Sequence, residues 1–155
     1  MTAEHSDKQF HIQPGVGIGD LIFGLGREDV EKLLGAPDKE HVNDYNDVFL
    51  HYHEKQLALR FDHDSDLRLS WIECHNPKAV LFGQTLIGEP QGEVLTVIQN
   101  HHAGKSEVDE FLSFESHTYY DIWTEFQFTL GRLTNINFGY VFDEDHEPIW
   151  PERSS

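Results

Sequence analysis

The residues of this chain that could do chemistry fall into two groups, acidic loops and histidines. Asp62-x-Asp64-x-Asp66 is followed by Glu73 at the twelfth position. A calcium loop sets oxygens at positions 1, 3, 5 and 12, because a hard cation collects six or more oxygen ligands. Here the sixth position is Leu67, where that loop needs glycine, and the flanks read as strands rather than helices. The run is therefore expected to be a polar hairpin turn whose Asp and Ser side chains bond their own backbone. A second polar loop, Asn43-Asp44-Tyr45-Asn46-Asp47, surrounds a tyrosine with acids and amides. Tyr45 is expected to be exposed there and to suit a basic partner.

His41, His51, His53, His63, His75, His101 and His102 crowd one stretch of the chain. His51 and His53 are two apart in a predicted strand, so their rings share a side. That spacing can chelate a transition metal if a third ligand approaches, with His63 or His75 as candidates. Cys74 and His75 are strand neighbours pointing to opposite faces, so they form no thiolate–imidazole pair. Gly15, Gly17, Gly19, Gly24 and Gly26 match no phosphate-binding spacing. No G-x-S-x-G, H-E-x-x-H or C-x-x-C occurs. The chain is accordingly read as a binding protein, with no catalytic residue assigned and no cofactor expected.

The elements that must position these residues follow from periodicity. Val30, Leu33 and Leu34 mark one face of a helix that starts after Gly26 and stops at Gly35 and Pro37. The period then changes to two. Val48 to His53, Leu57 to Phe61 and Leu67 to Glu73 read as an antiparallel meander with short turns. An offset of 64 residues lays Gly24 on Gly88, Val30 on Val94, Leu33 on Val97 and Leu34 on Ile98. Pro90 opens this second helix. Aromatic strands over Thr118 to Leu130 and Leu133 to Phe142 then flank a turn at Gly131-Arg132. The expected fold class is α+β: two tandem helix-plus-antiparallel-meander repeats, about 17–75 and 80–142, forming one curved sheet with helices on one face. Residues 1–9 are expected to be flexible, 10–150 a single domain and 151–155 a tail. The sheet's other face is expected to show His51, His53, Arg60, Ser70, Gln127, Thr129, Asn135 and Asn137. Trp71 and Trp123 are assigned to the core.

Composition limits the partners. The 155 residues carry 28 acidic against 11 Lys and Arg side chains, a formal charge of -17. Such a surface repels nucleic acid and anionic lipid and attracts a basic protein, although charge alone also serves solubility. Cys74 is the single cysteine, which excludes an intramolecular disulfide and fits a reducing, cytoplasmic compartment. Met1 to Phe10 lacks a secretory pattern, and no apolar run reaches the ~20 residues of a membrane span.

The segment Ile22-Phe23-Gly24-Leu25-Gly26-Arg27-Glu28-Asp29-Val30-Glu31-Lys32-Leu33-Leu34-Gly35-Ala36-Pro37 resembles the opening of small bacterial proteins of the tandem β-lactamase-inhibitor-protein-like and outer-membrane-assembly-lipoprotein-like type. The whole is similar to immunity proteins encoded beside polymorphic toxins. The resemblance implies an inhibitor that plugs a toxin's active site. The inhibitor proteins carry disulfides and the lipoproteins a lipidated N-terminal cysteine, neither of which this sequence has, and no family functional residue maps onto a position here.

The resulting expectation is a cytosolic immunity or inhibitor protein that occludes a basic toxin, such as a nuclease. Its partner-binding residues are Asp44, Tyr45, Asp47, His51, His53, Asp62, Asp64 and Asp66. The alternatives are a metal-binding protein or metal-dependent enzyme using His51, His53 and His63, and a structural module that self-associates through its open sheet.

Overall fold

The computed structural model describes residues 10–151, so the expectations for residues 1–9 and 152–155 lie outside the described residues. Three two-residue strands, β1 (Ile12–Gln13), β2 (Gly17–Ile18) and β3 (Leu21–Ile22), make a small sheet and lead into helix α1 (Arg27–Leu34). Four strands follow: β4 (Lys39–Val42), β5 (Val48–Tyr52), β6 (Leu57–Asp62) and β7 (Arg68–Cys74). The hairpin β8 (Val80–Leu81) and β9 (Gln84–Thr85) leads to helix α2 (Gln91–His101). Then come β10 (Glu107–Glu110), β11 (Glu115–Tyr119), β12 (Thr124–Thr129) and β13 (Arg132–Gly139), and a last pair, β14 (Val141–Phe142) and β15 (Pro148–Ile149).

Strands β4–β7 and β10–β13 join in one antiparallel sheet of eight, ordered β10-β11-β12-β13-β7-β6-β5-β4. The α+β expectation of two helix-plus-meander repeats is thereby corrected: the described residues are mostly β, 44% strand and 15% helix. The central pairing of β13 with β7, from Ile136↔Cys74 to Gly139↔Trp71, joins the two four-strand halves in one continuous sheet. Dimensions explain the low helix content. An eight-stranded sheet is about 34 Å across, whereas helices of 8 and 11 residues span about 12 and 16 Å. The glycine-rich lead-in segments therefore also serve as cover, with Ile12, Ile18, Leu21, Phe23, Leu81 and Leu86 buried in the same core as Val30, Val94 and Ile98.

Alternation sets the two faces. Leu50↔Leu59↔Ile72↔Phe138↔Thr124 is one row across the sheet, and Tyr52↔Leu57↔Cys74↔Ile136↔Phe126 is the next on that face. All ten side chains are buried. Removing such rows from water is the main stabilising term, about 1.5–3 kcal/mol for each large apolar side chain. Two details fix register. The β12–β13 hairpin turns on Leu130 and Gly131, both at positive φ (53° and 78°), which is the backbone of a two-residue turn matched to strand twist. Bulges interrupt β6–β7 after Arg60 and β12–β13 after Gln127.

Candidate functional site

The opposite face of the sheet carries the chemistry. One row crosses all eight strands: Lys39, His51, Ala58, Glu73, Asn137, Glu125, Thr118 and Glu107. A neighbouring row holds His41, Phe49, Arg60, Trp71 and Gly139. Trp123, from the β11–β12 turn, completes it by accepting the Gly139 N–H at 3.1 Å. The aromatic members touch in sequence. The Arg60 guanidinium sits 5.4 Å from the Trp71 ring centroid, Trp71 meets Trp123 edge-on at 6.1 Å, and Trp123 meets Tyr120 at 5.3 Å. Trp71 and Trp123 are half-buried on this face, which corrects their assignment to the core. Trp123 adopts a left-handed backbone, φ 45°, a conformation that costs a non-glycine residue free energy and marks tight turns and functional sites.

Both aspartate loops lie at the same end as this row. The backbone N–H of His63 donates to Asp47 Oδ1 at 2.9 Å, tying the β6–β7 turn to the β4–β5 loop. Asn43 caps its own loop, accepting from the N–H groups of Tyr45 and Asp47 at 3.0 and 2.9 Å. Although burial raises the Asp47 carboxyl, the His63 N–H, the Asn43 amide and the Arg60 charge hold it below the ordinary range. Asp62 accepts from Arg60 Nε at 2.7 Å. Asp44, Asp64 and Asp66 are exposed and Tyr45 is 79% exposed. The Asp62–Asp66 run forms a 3₁₀ turn over His63–Ser65 with Asp66 at φ 57°; backbone bonds close it, from Asp66 N–H to the His63 carbonyl and from Leu67 N–H to the Asp62 carbonyl, whereas the expected side-chain bonds to its own backbone give way to Asp62–Arg60 and Ser65–Tyr140 contacts. At the far side of the row the Tyr120 hydroxyl is pushed up by its hydrogen bond to Glu107, then by burial and the charges of Glu107, Asp109 and Glu125. The aromatic row is thus bracketed by carboxylates on both flanks.

The structure divides the remaining predicted residues. His51 lies toward the other end of β5 and His53 in the turn just past it, so the strand expected to reach His53 stops at Tyr52; both border a hollow of about 280 Å³ that Ala58, Glu73 and His75 also line. His63 lies past the far end of β6, about 20 Å along the strand, so it cannot join His51 and His53. Among the described residues no group of three His, Cys, Asp or Glu side chains is placed to hold a metal. Ser70, Asn135 and Asn137, expected to be open, are buried. A bonded network explains the amides. Asn137 Nδ2 and Gln127 Nε2 donate to Glu125 Oε1 at 2.9 and 3.1 Å. Ser116 Oγ donates to Glu125 Oε2 at 2.7 Å, and Asn135 Nδ2 donates to Asn137 and Gln127. With its oxygens taken up, Glu125 is a structural carboxylate. Sequence reasoning missed the Trp71–Trp123–Tyr120 array; the signal was present, since Trp71 shares its strand face with Glu73 and not with Ile72.

No family model matches the chain, and no curated protein matches it. Solved structures similar to this chain include the following three. A DUF4309 family protein from Bacillus subtilis is 17% identical, with 88% of this chain and 91% of that one covered, at a TM-score of 0.49. An extracellular protein containing a SCP domain from Bacillus anthracis is 8% identical, with 85% and 50% covered, at 0.49. A cysteine-rich secretory protein from Staphylococcus aureus is 12% identical, with 94% and 56% covered, at 0.46. The chain thus spans about half the length of the last two.

Proposed function

We propose that this chain is a binding protein that takes a basic protein partner on the loop end of its open sheet face, acting as an immunity or inhibitor protein. The observation that carries the reading is the juxtaposition of a half-exposed aromatic row with two aspartate loops locked together through Asp47 and His63. Trp and Tyr anchor interfaces because they bury much area at low entropy cost. Carboxylates around them steer a cationic partner and exclude an anionic one. Arg60 resting over Trp71 supports the idea that these rings accept guanidinium groups. Occlusion of the partner's cationic active site is the proposed mechanism. The single cysteine, buried and unpaired, supports a reducing, cytoplasmic setting.

The test is co-expression with the product of the gene adjacent to its own, followed by co-purification and a toxicity assay. The expected result is a 1:1 complex that relieves toxicity. A harmless neighbour that does not co-purify would sink the immunity reading.

A further inference from the structure

Two imidazole nitrogens on the open face stand at the separation that one metal ion imposes. His51 Nε2 lies 3.2 Å from His41 Nδ1. In a tetrahedral zinc site with bonds of about 2.0–2.1 Å, two ligand nitrogens are about 3.3 Å apart. The pair is held in place. The His41 ring stacks on Phe49 with centroids 4.5 Å apart and an interplanar angle of 5°. It also stacks on His51 at 5.1 Å and 23°. Register produces the stack: β4 sets His41 opposite Phe49, with His51 two residues on and on the same face.

We propose that His41 and His51 form a two-nitrogen site for a borderline divalent transition-metal ion of the zinc class, with water in the remaining positions. A tilt of the exposed His41 ring turns both lone pairs onto one ion. Imidazole pairs select such ions over Mg²⁺ or Ca²⁺, which take oxygen. The proposal is independent of the partner reading. The competing account is a single N–H···N hydrogen bond with no ligand, for which 3.2 Å is at the long end of the usual range.

Calorimetric titration of the untagged chain with Zn²⁺ near neutral pH decides between them. The expected result is one saturable zinc event per chain, undisturbed by excess Mg²⁺. Even the outer-sphere partners of a metal are worth 10–100-fold, so His41→Gln and His51→Gln each weaken binding at least about tenfold. His53→Ala and His75→Ala leave it unchanged. His41 is exposed on an edge strand, so its variant keeps the fold, as circular dichroism would verify. The absence of a saturable event, or zinc binding retained in the His41→Gln/His51→Gln double variant, overturns the proposal.

Discussion

Replacing Gly139 by alanine perturbs the aromatic row without touching a charge. Gly139 pairs with Trp71 across β13 and β7. An added Cβ would lie 2.7 Å from Trp123 Cδ1, 2.7 Å from Trp71 Cε3 and 2.9 Å from the Ser70 carbonyl oxygen. Two effects oppose each other. Alanine at an unstrained site stabilises by about 0.4–1 kcal/mol through the unfolded chain. Overpacking of a filled site costs about 1–3 kcal/mol. Because one contact is to backbone, which yields less than a ring, the clash wins, with a net loss of about 1–2 kcal/mol. For a chain of this size that lowers Tm by about 2–8 °C. Urea denaturation followed by tryptophan fluorescence reads both the loss and a red shift as the indoles move toward water. Trp123→Ala in the Gly139→Ala background removes one of the clashing rings, so the two changes couple by at least about 0.5 kcal/mol. A Gly139→Ala variant as stable as the parent with unshifted emission, or strict additivity with Trp123→Ala, would refute the packing argument.

Reversing the exposed loop charges, as Asp44→Lys, Asp64→Lys and Asp66→Lys together, should slow association with the partner at low salt and flatten its ionic-strength dependence in stopped-flow measurements; an unchanged rate counts against steering. Glu115 is held low by His117, then by Gln91, which tethers the start of α2 to β11. A depressed carboxyl stabilises the fold above its unfolded pKa of about 4.3, and that stability is lost as pH falls through the folded value. Glu115→Gln should therefore lose acid sensitivity in denaturation curves below about pH 4.3, and an unaltered pH profile contradicts the assignment. Burial pushes the Cys74 thiol up to about 11, so its reaction with a thiol reagent should track unfolding; rapid labelling of the native chain would show an open site.

Legibility in the sequence followed the strength of the alternation. Leu57-Ala58-Leu59-Arg60-Phe61 and Phe126-Gln127-Phe128 declared strands with one buried side; β6 follows the first closely, whereas the strand expected over Thr118 to Leu130 is split by a turn into β11 and β12. The edge strands β4 and β10 were not visible. Lys39-Glu40-His41-Val42 and Glu107-Val108-Asp109-Glu110 are exposed throughout, so no face has to be apolar and the period vanishes. Polar edges of this kind resist unwanted pairing between chains. Without them the one expected sheet fell short of its eight strands. Of the candidate site, the aspartate loops and Tyr45 could be read from composition. The link between Asp47 and His63 could not, because it joins residues 16 apart through a backbone donor. The aromatic row was missed because tryptophan suits both a core and a half-open sheet face.

The central claim is that the partner sits on the aromatic and acidic end of the open face. Hydrogen–deuterium exchange of the chain alone and in complex with its co-purified partner tests it most directly. The account predicts slowed exchange over residues 43–49, 60–71 and 119–123, with the rest unchanged. Protection confined to the exposed hairpin tips at Phe111, Leu112 and Leu130, or to the helices on the far side, would contradict it.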